Sequence, residues 1–159
     1  MDSYLALKWI HILSATILFG TGLGTALHMW LTHRRGDVAA IAVTSRNVVF
    51  ADWAFTTPSG LLQPLSGIAL VHVTGHDPFA GWLVMTYGLY ILAGACWLPV
   101  VWIQLQLRDI TRVAAEAGQP LPGRYFRLMR IWFLLGWPAF LALIAIFYLM
   151  IARPEFGAS

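Results

Sequence analysis

The sequence offers Cys96 no second cysteine to pair with, so an internal disulfide is excluded and the redox compartment is left unmarked. Charge is scarce as well. Only 11% of the 159 residues are charged, against roughly 25% in an ordinary soluble domain. There is no HExxH, no phosphate-binding loop and no dinucleotide fingerprint, and no catalytic triad can be assembled. Between Lys8 and Arg34 no formal charge occurs at all.

What is present is apolar: 59% of the chain. Four apolar segments stand out, at residues 5–32, 50–73, 82–105 and 131–152, separated by polar or Gly/Pro punctuation. Each is long enough to cross about 30 Å of hydrocarbon at about 1.5 Å per residue. The first exceeds a signal-peptide core and lacks a small-residue cleavage site, so it reads as a permanent span. The expected fold is all-α: an up-down bundle of four transmembrane helices, with residues 1–159 as a single four-span domain.

Arg34, Arg35 and Arg46 fall between spans one and two, and Arg108, Arg112, Arg124, Arg127 and Arg130 between spans three and four. The GHDPFAG connection carries neither Lys nor Arg. The positive-inside rule therefore puts both termini outside the cytoplasm. The net charge of +3 is a topology signal rather than a nucleic-acid surface. Asp37 is placed to cap a second helix that starts before the membrane, and the third helix is expected to run to about Ala117, where Gly118 and Pro120 stop it.

Helical spacing sorts the polar residues onto faces. His11, Ser14, Thr21, Gly22, Thr25 and His28 share one side of the first span, and in lipid that small, polar face turns inward. Gly20 and Gly24 form a GxxxG pair. The second span carries a stripe of Asp52, Thr56, Ser59, Gly60, Gln63, Ser66 and Gly67. Pro58 and Pro64 free carbonyls near Thr56 and Gly60, either for a site or for local Thr and Ser hydroxyls. On the third, Thr86, Tyr90, Gly94, Trp97, Val101 and Gln104 align. Trp9, Trp30, Trp53, Trp82 and Trp132 fit interface anchors; Trp97, near mid-span, is the candidate pocket residue.

His11 is expected roughly 9 Å inside its helix. A neutral imidazole there either ligates a haem iron or metal through one nitrogen, or simply hydrogen-bonds a neighbouring helix. Lys8, one turn above, can snorkel outward or pair with a propionate. His28 and His33 read as interfacial, His72 as pointing away from the bundle, and His76 as a solvent-exposed loop residue. Met85, Met150 and Cys96 are scattered without metal-ligand spacing.

The segments KWIHILSATILFGTGLGTALHMWLTHRRGD, RNVVFADWAFTTPSGLLQPLSG, GACWLPVVWIQLQLRD and LGWPAFLALIAIFYLMIA resemble an uncharacterised family of small bacterial integral membrane proteins, domain of unknown function 2269. More distantly, Lys8 and His11 in KWIH, Gly22, His33, and Thr56, Thr57 and Pro58 followed by a glycine are similar to HemJ-type protoporphyrinogen oxidases and CopD-type copper-resistance proteins. The HemJ resemblance implies haem b with His11 as axial ligand. The lysine such proteins carry in the third span has no counterpart in GWLVMTYGLYILAG.

The leading expectation is a haem b-binding, redox-related protein of the bacterial inner membrane, an oxidoreductase if it is an enzyme. His11 is its ligand, Lys8 a propionate partner, and Ser14, Thr25, Tyr90 and Trp97 line the site. Electron exchange with quinone or a partner oxidoreductase, and self-association, are partnerships that a bilayer location permits. Two alternatives stand beside it: a ligand-free accessory subunit, and a copper- or solute-handling membrane protein.

Overall fold

The computed structural model describes residues 3–155. They form four long helices: α1 (Ser3–Arg35), α2 (Val38–Thr74), α3 (Gly81–Glu116) and α4 (Gly123–Ala152), each long and apolar enough to cross a membrane. The chain is an all-helical, four-span integral membrane protein. Helices are the natural solution in hydrocarbon, because every backbone N–H and C=O away from the ends is satisfied within its own element.

Local chemistry sets the ends where the sequence places them. Asp37 stands in extended backbone and accepts from the amides of Ala39 and Ala40 at 2.9 and 3.1 Å, capping α2. Gly36, at φ +75°, turns the chain sharply between α1 and α2. α3 ends at Glu116, and Gly118 at φ +60° closes it, with the Gln119 amide donating back to Ala114 at 2.9 Å.

One feature of α2 was not legible in advance. Over Asp52–Thr56 the helix widens into a π turn, and the Thr57 amide donates to the Asp52 carbonyl five residues back. Pro58 follows one residue beyond the turn, and a proline ring collides with the carbonyl four residues before it in a regular helix. The wider turn accommodates it, so the proline leaves a local bulge and the helix continues to Thr74.

The bundle is close-packed at its Arg-rich end and splayed at the other. Met29, Ile41, Ile103, Leu107, Tyr125 and Trp132 belong to one buried cluster. There α2 lies between α1 and α3, while α3 and α4 pair along their length. Beyond the π turn α2 packs on α1, and α1 meets α4 only sparingly. Much of the core lies outside the segments expected in hydrocarbon, where water still drives apolar burial. Inside the bilayer lipid competes with helix for apolar surface, so packing there depends on small residues and hydrogen bonds.

Candidate functional site

Two places collect polar side chains, and they are separate. The first is the α1/α2 interface near the amino-terminal end of α1. His11 Nδ1 lies 2.8 Å from Ser66 Oγ, Gln63 Nε2 donates to the His11 carbonyl at 3.0 Å, and the buried Ser14 hydroxyl donates to the same carbonyl at 3.1 Å. Gly67 leaves room for the ring: a Cβ on it would stand 3.4 Å from His11 Cε1. The expected hydrogen bond from His11 to a neighbouring helix is therefore present. Lys8 is exposed and sits over the Tyr4 ring, 5.6 Å from its centroid.

The second is a cavity of about 780 Å³ bounded by all four helices. Phe19, Leu61, Phe140 and Ile144 supply much of its apolar wall, and Asp52, Thr56, Tyr90, Trp97, Gln104 and Trp132 are among the polar residues that line it. Its α1–α4 side is held by Phe19, which packs edge-on against Phe140 and Phe147 with centroids 5.9 and 5.4 Å away.

The polar groups of this wall are what mark it. Among the described residues, five buried side-chain atoms have no hydrogen-bond partner: Asp52 Oδ2, Thr56 Oγ1, Trp97 Nε1, Gln104 Oε1 and Trp132 Nε1. All five residues line the cavity. Leaving such a group unpaired costs about 1–3 kcal/mol; Asp52, Thr56 and Gln104 lie close enough to share one another's hydrogen bonds, and small side-chain rotations would turn these groups toward a ligand in the cavity. Thr56 and Gln104 are the side chains that face the Asp52 carboxyl. They gather at the Arg-rich end of the cavity, beside the core that includes Trp132.

At the other end Tyr90 closes the pattern. Pro64 has no N–H, so the Gly60 carbonyl four residues earlier loses its helical donor, and the Tyr90 hydroxyl donates to it from α3. One of the freed carbonyls anticipated from the sequence is thus taken by a neighbouring helix.

The expected site residues divide between the two places. His11 and Ser14 meet at the α1/α2 interface, Lys8 stands exposed one turn away, and Thr25, Tyr90 and Trp97 line the cavity. Thr25 spends its hydroxyl on the Thr21 and Gly22 carbonyls, at 2.8 and 3.2 Å. Several other expectations need correction. Trp132 is no interface anchor: it is 6% exposed, buried because its helix packs tightly on α3. His28 is exposed, as an interfacial residue is, so the inward turn of the polar stripe of α1 does not extend to it. His76 is half-buried, 2.6 Å from Thr74 Oγ1 and accepting from Arg153 at 3.2 Å, because the turn after Gly75 folds it toward Trp82. Asp52 and Gln104 were visible as stripe members but carried no motif that marked them as a site. Their signal is a carboxyl and an amide at facing positions of two spans.

The cavity does not fit a haem. Among the described residues no His, Cys or Met lines it, and the one charged-type residue that does is a carboxyl, the wrong sign for propionates. Among the described residues no group of three or more His, Cys, Asp or Glu is placed to hold a metal ion.

A family profile described as "Predicted integral membrane protein (DUF2269)" matches residues 5–154. No curated protein and no solved structure matches the chain.

Proposed function

This chain belongs to the DUF2269 family of predicted integral membrane proteins, and from the chemistry of its cavity we propose that it is an intramembrane binding protein for a small amphipathic ligand. Of the roles expected from the sequence, this is the solute-handling one. The observation that carries it is the coincidence of the five unpartnered buried polar atoms with the wall of one large cavity. Ligand sites are concave, largely apolar and furnished with a few convergent polar groups, with volumes of about 300–1,000 Å³. The sparing α1–α4 contact gives such a ligand a route in from the bilayer. The setting we propose is the bacterial inner membrane, with the Arg-rich end in the cytoplasm.

The test is extraction. Protein purified in a mild detergent is washed, its small molecules are taken into organic solvent, and these are compared by mass spectrometry with those from Gly94→Phe. Gly94 lines the cavity, and nothing lies within 4 Å of a Cβ placed on it, so the added ring fills the space. A compound enriched with the wild type and lost with the variant supports the reading. Identical extracts from the two proteins sink it.

A second reading, haem b held by His11 in a redox role, is favoured by one observation at the α1/α2 interface. The Ser66 hydroxyl has one proton, and the Leu62 carbonyl lies 2.7 Å from it. Spent there, that proton leaves Oγ as acceptor for Nδ1–H of His11, which turns the Nε2 lone pair free for ligation. Bound haem would supply one-electron chemistry. Lys8 is then the nearest candidate propionate partner. An absorption spectrum with a Soret band and sharpened reduced bands, lost in His11→Ala, supports this reading; a featureless spectrum from haem-replete cells removes it.

A further inference from the structure

We infer that the ligand of the cavity is an amphipathic cation, its charge held by the Asp52 carboxylate and its apolar body lying among the rings above; this rests on the cavity being a binding site.

Among the described residues, Asp52 is the only Asp, Glu, Lys, Arg or His that lines the cavity. It is 4% exposed, and Oδ2 has no partner. The ion pairs among the described residues, Arg108 with Asp109 and Arg112 with Glu116, lie elsewhere. The groups that face the carboxyl, Thr56 and Gln104, are neutral. An ionisable group inside a membrane bundle is costly and is normally matched by an opposite charge or by the molecule it serves. Among the described residues no cation stands beside it, so a cationic ligand supplies the missing partner. A buried carboxyl with no cation beside it holds a proton; a cationic ligand displaces that proton and pairs with the charge, whereas an anion gains nothing from either form.

The surroundings suit the same chemistry. Trp97 and Trp132 line the cavity, and the face of an indole attracts a cation within about 6 Å of the ring. Along α2 the lining runs from Asp52 to Pro64, about 18 Å at 1.5 Å per residue. That is room for a charged group at the Asp52 level and an extended apolar body above it. α1 meets α4 only sparingly, so rotation of the Phe19 ring away from Phe140 would open that side to the hydrocarbon.

The test uses the full chain in phosphatidylcholine nanodiscs, with empty nanodiscs as the background. Equilibrium dialysis measures binding of three probes: tetraphenylphosphonium and tetraphenylborate, a cation and an anion of closely similar size, and the smaller neutral triphenylphosphine oxide. Saturable binding is expected for the phosphonium alone. Asp52→Asn should weaken it at least about tenfold, the scale for removing one partner of a buried charge pair, while Asp52→Glu, which keeps the charge, retains it. Circular dichroism checks that the variants stay helical. If Asp52→Asn does not fold, discrimination between phosphonium and borate by the wild type decides alone. Equal binding of the borate or the oxide, or binding indifferent to Asp52→Asn, overturns the cationic class but leaves the cavity as a site. No saturable binding of any probe, with Gly94→Phe indistinguishable from wild type, overturns both.

Discussion

Tyr90 and Pro64 form an energetic pair that mutation can take apart. Because Pro64 cannot donate, the Gly60 carbonyl depends on the Tyr90 hydroxyl. Tyr90→Phe removes that donor, leaves the ring in place and strands the carbonyl in a wall with little water. Neutral hydrogen bonds contribute about 0.5–1.5 kcal/mol, and interhelical ones in membranes average about 0.6 and reach about 1.7. The bond ties α2 to α3 where their backbones largely stay apart, so a loss near the upper end, about 1.5 kcal/mol, is expected. Pro64→Ala restores an N–H to position 64 and gives the carbonyl its ordinary helical donor. In that background Tyr90→Phe should cost less than about 0.5 kcal/mol, a coupling of about 1 kcal/mol in a double-mutant cycle. Reversible unfolding in mixed micelles, followed by circular dichroism, measures all four proteins. Equal costs of Tyr90→Phe in the two backgrounds would refute the idea that the proline creates the need for the tyrosine.

Three further outcomes follow from the same structure. Thr56→Val keeps the shape but removes an unpartnered buried hydroxyl, so it should raise stability by about 1 kcal/mol while weakening phosphonium binding; a fall in thermal midpoint would contradict this. Gly67→Ala should be nearly silent, since its Cβ meets His11 Cε1 at 3.4 Å, whereas Gly67→Leu forces the imidazole aside at about 1–3 kcal/mol, read as a lowered midpoint only in the larger variant. Asp37→Ala removes the acceptor of two amides and should cost about 1 kcal/mol, seen as faster hydrogen exchange in the first turn of α2.

The four helices, the start of α2, the end of α3 and the inward faces of α2 and α3 were legible in the residues because the bilayer imposes severe rules, whereas the start of α4 at Gly123, ahead of the apolar run from 131, was not. A long uncharged run must be helical, and Asp37, Gly36 and Gly118 carry cap and turn chemistry that acts within a few residues. The polar stripe of α2 was readable for the same reason: Asp52, Thr56, Ser59, Gln63 and Ser66 recur at helical spacing, and all are buried. The hydrogen bond of His11 to a neighbouring helix was foreseen as one of two readings. That Ser66 would receive it was not, since partners across an interface follow from how two helices rotate against each other.

Composition and periodicity by themselves therefore determined a membrane protein of four helices and the side of α2 and α3 that faces inward. Both follow from short-range sterics and from the cost of unsatisfied groups in hydrocarbon. Tertiary structure alone decided that the bundle is tight at the Arg-rich end and open above, because that depends on where water, rather than lipid, drives the packing. It also decided that Trp132 is buried, that Tyr90 serves a carbonyl freed by Pro64, and that Asp52 and Gln104 meet across an apolar cavity while His11 stands apart from it. No spacing within one helix encodes those meetings, since they are fixed by residues more than 25 positions apart on surfaces that only the assembled bundle brings together.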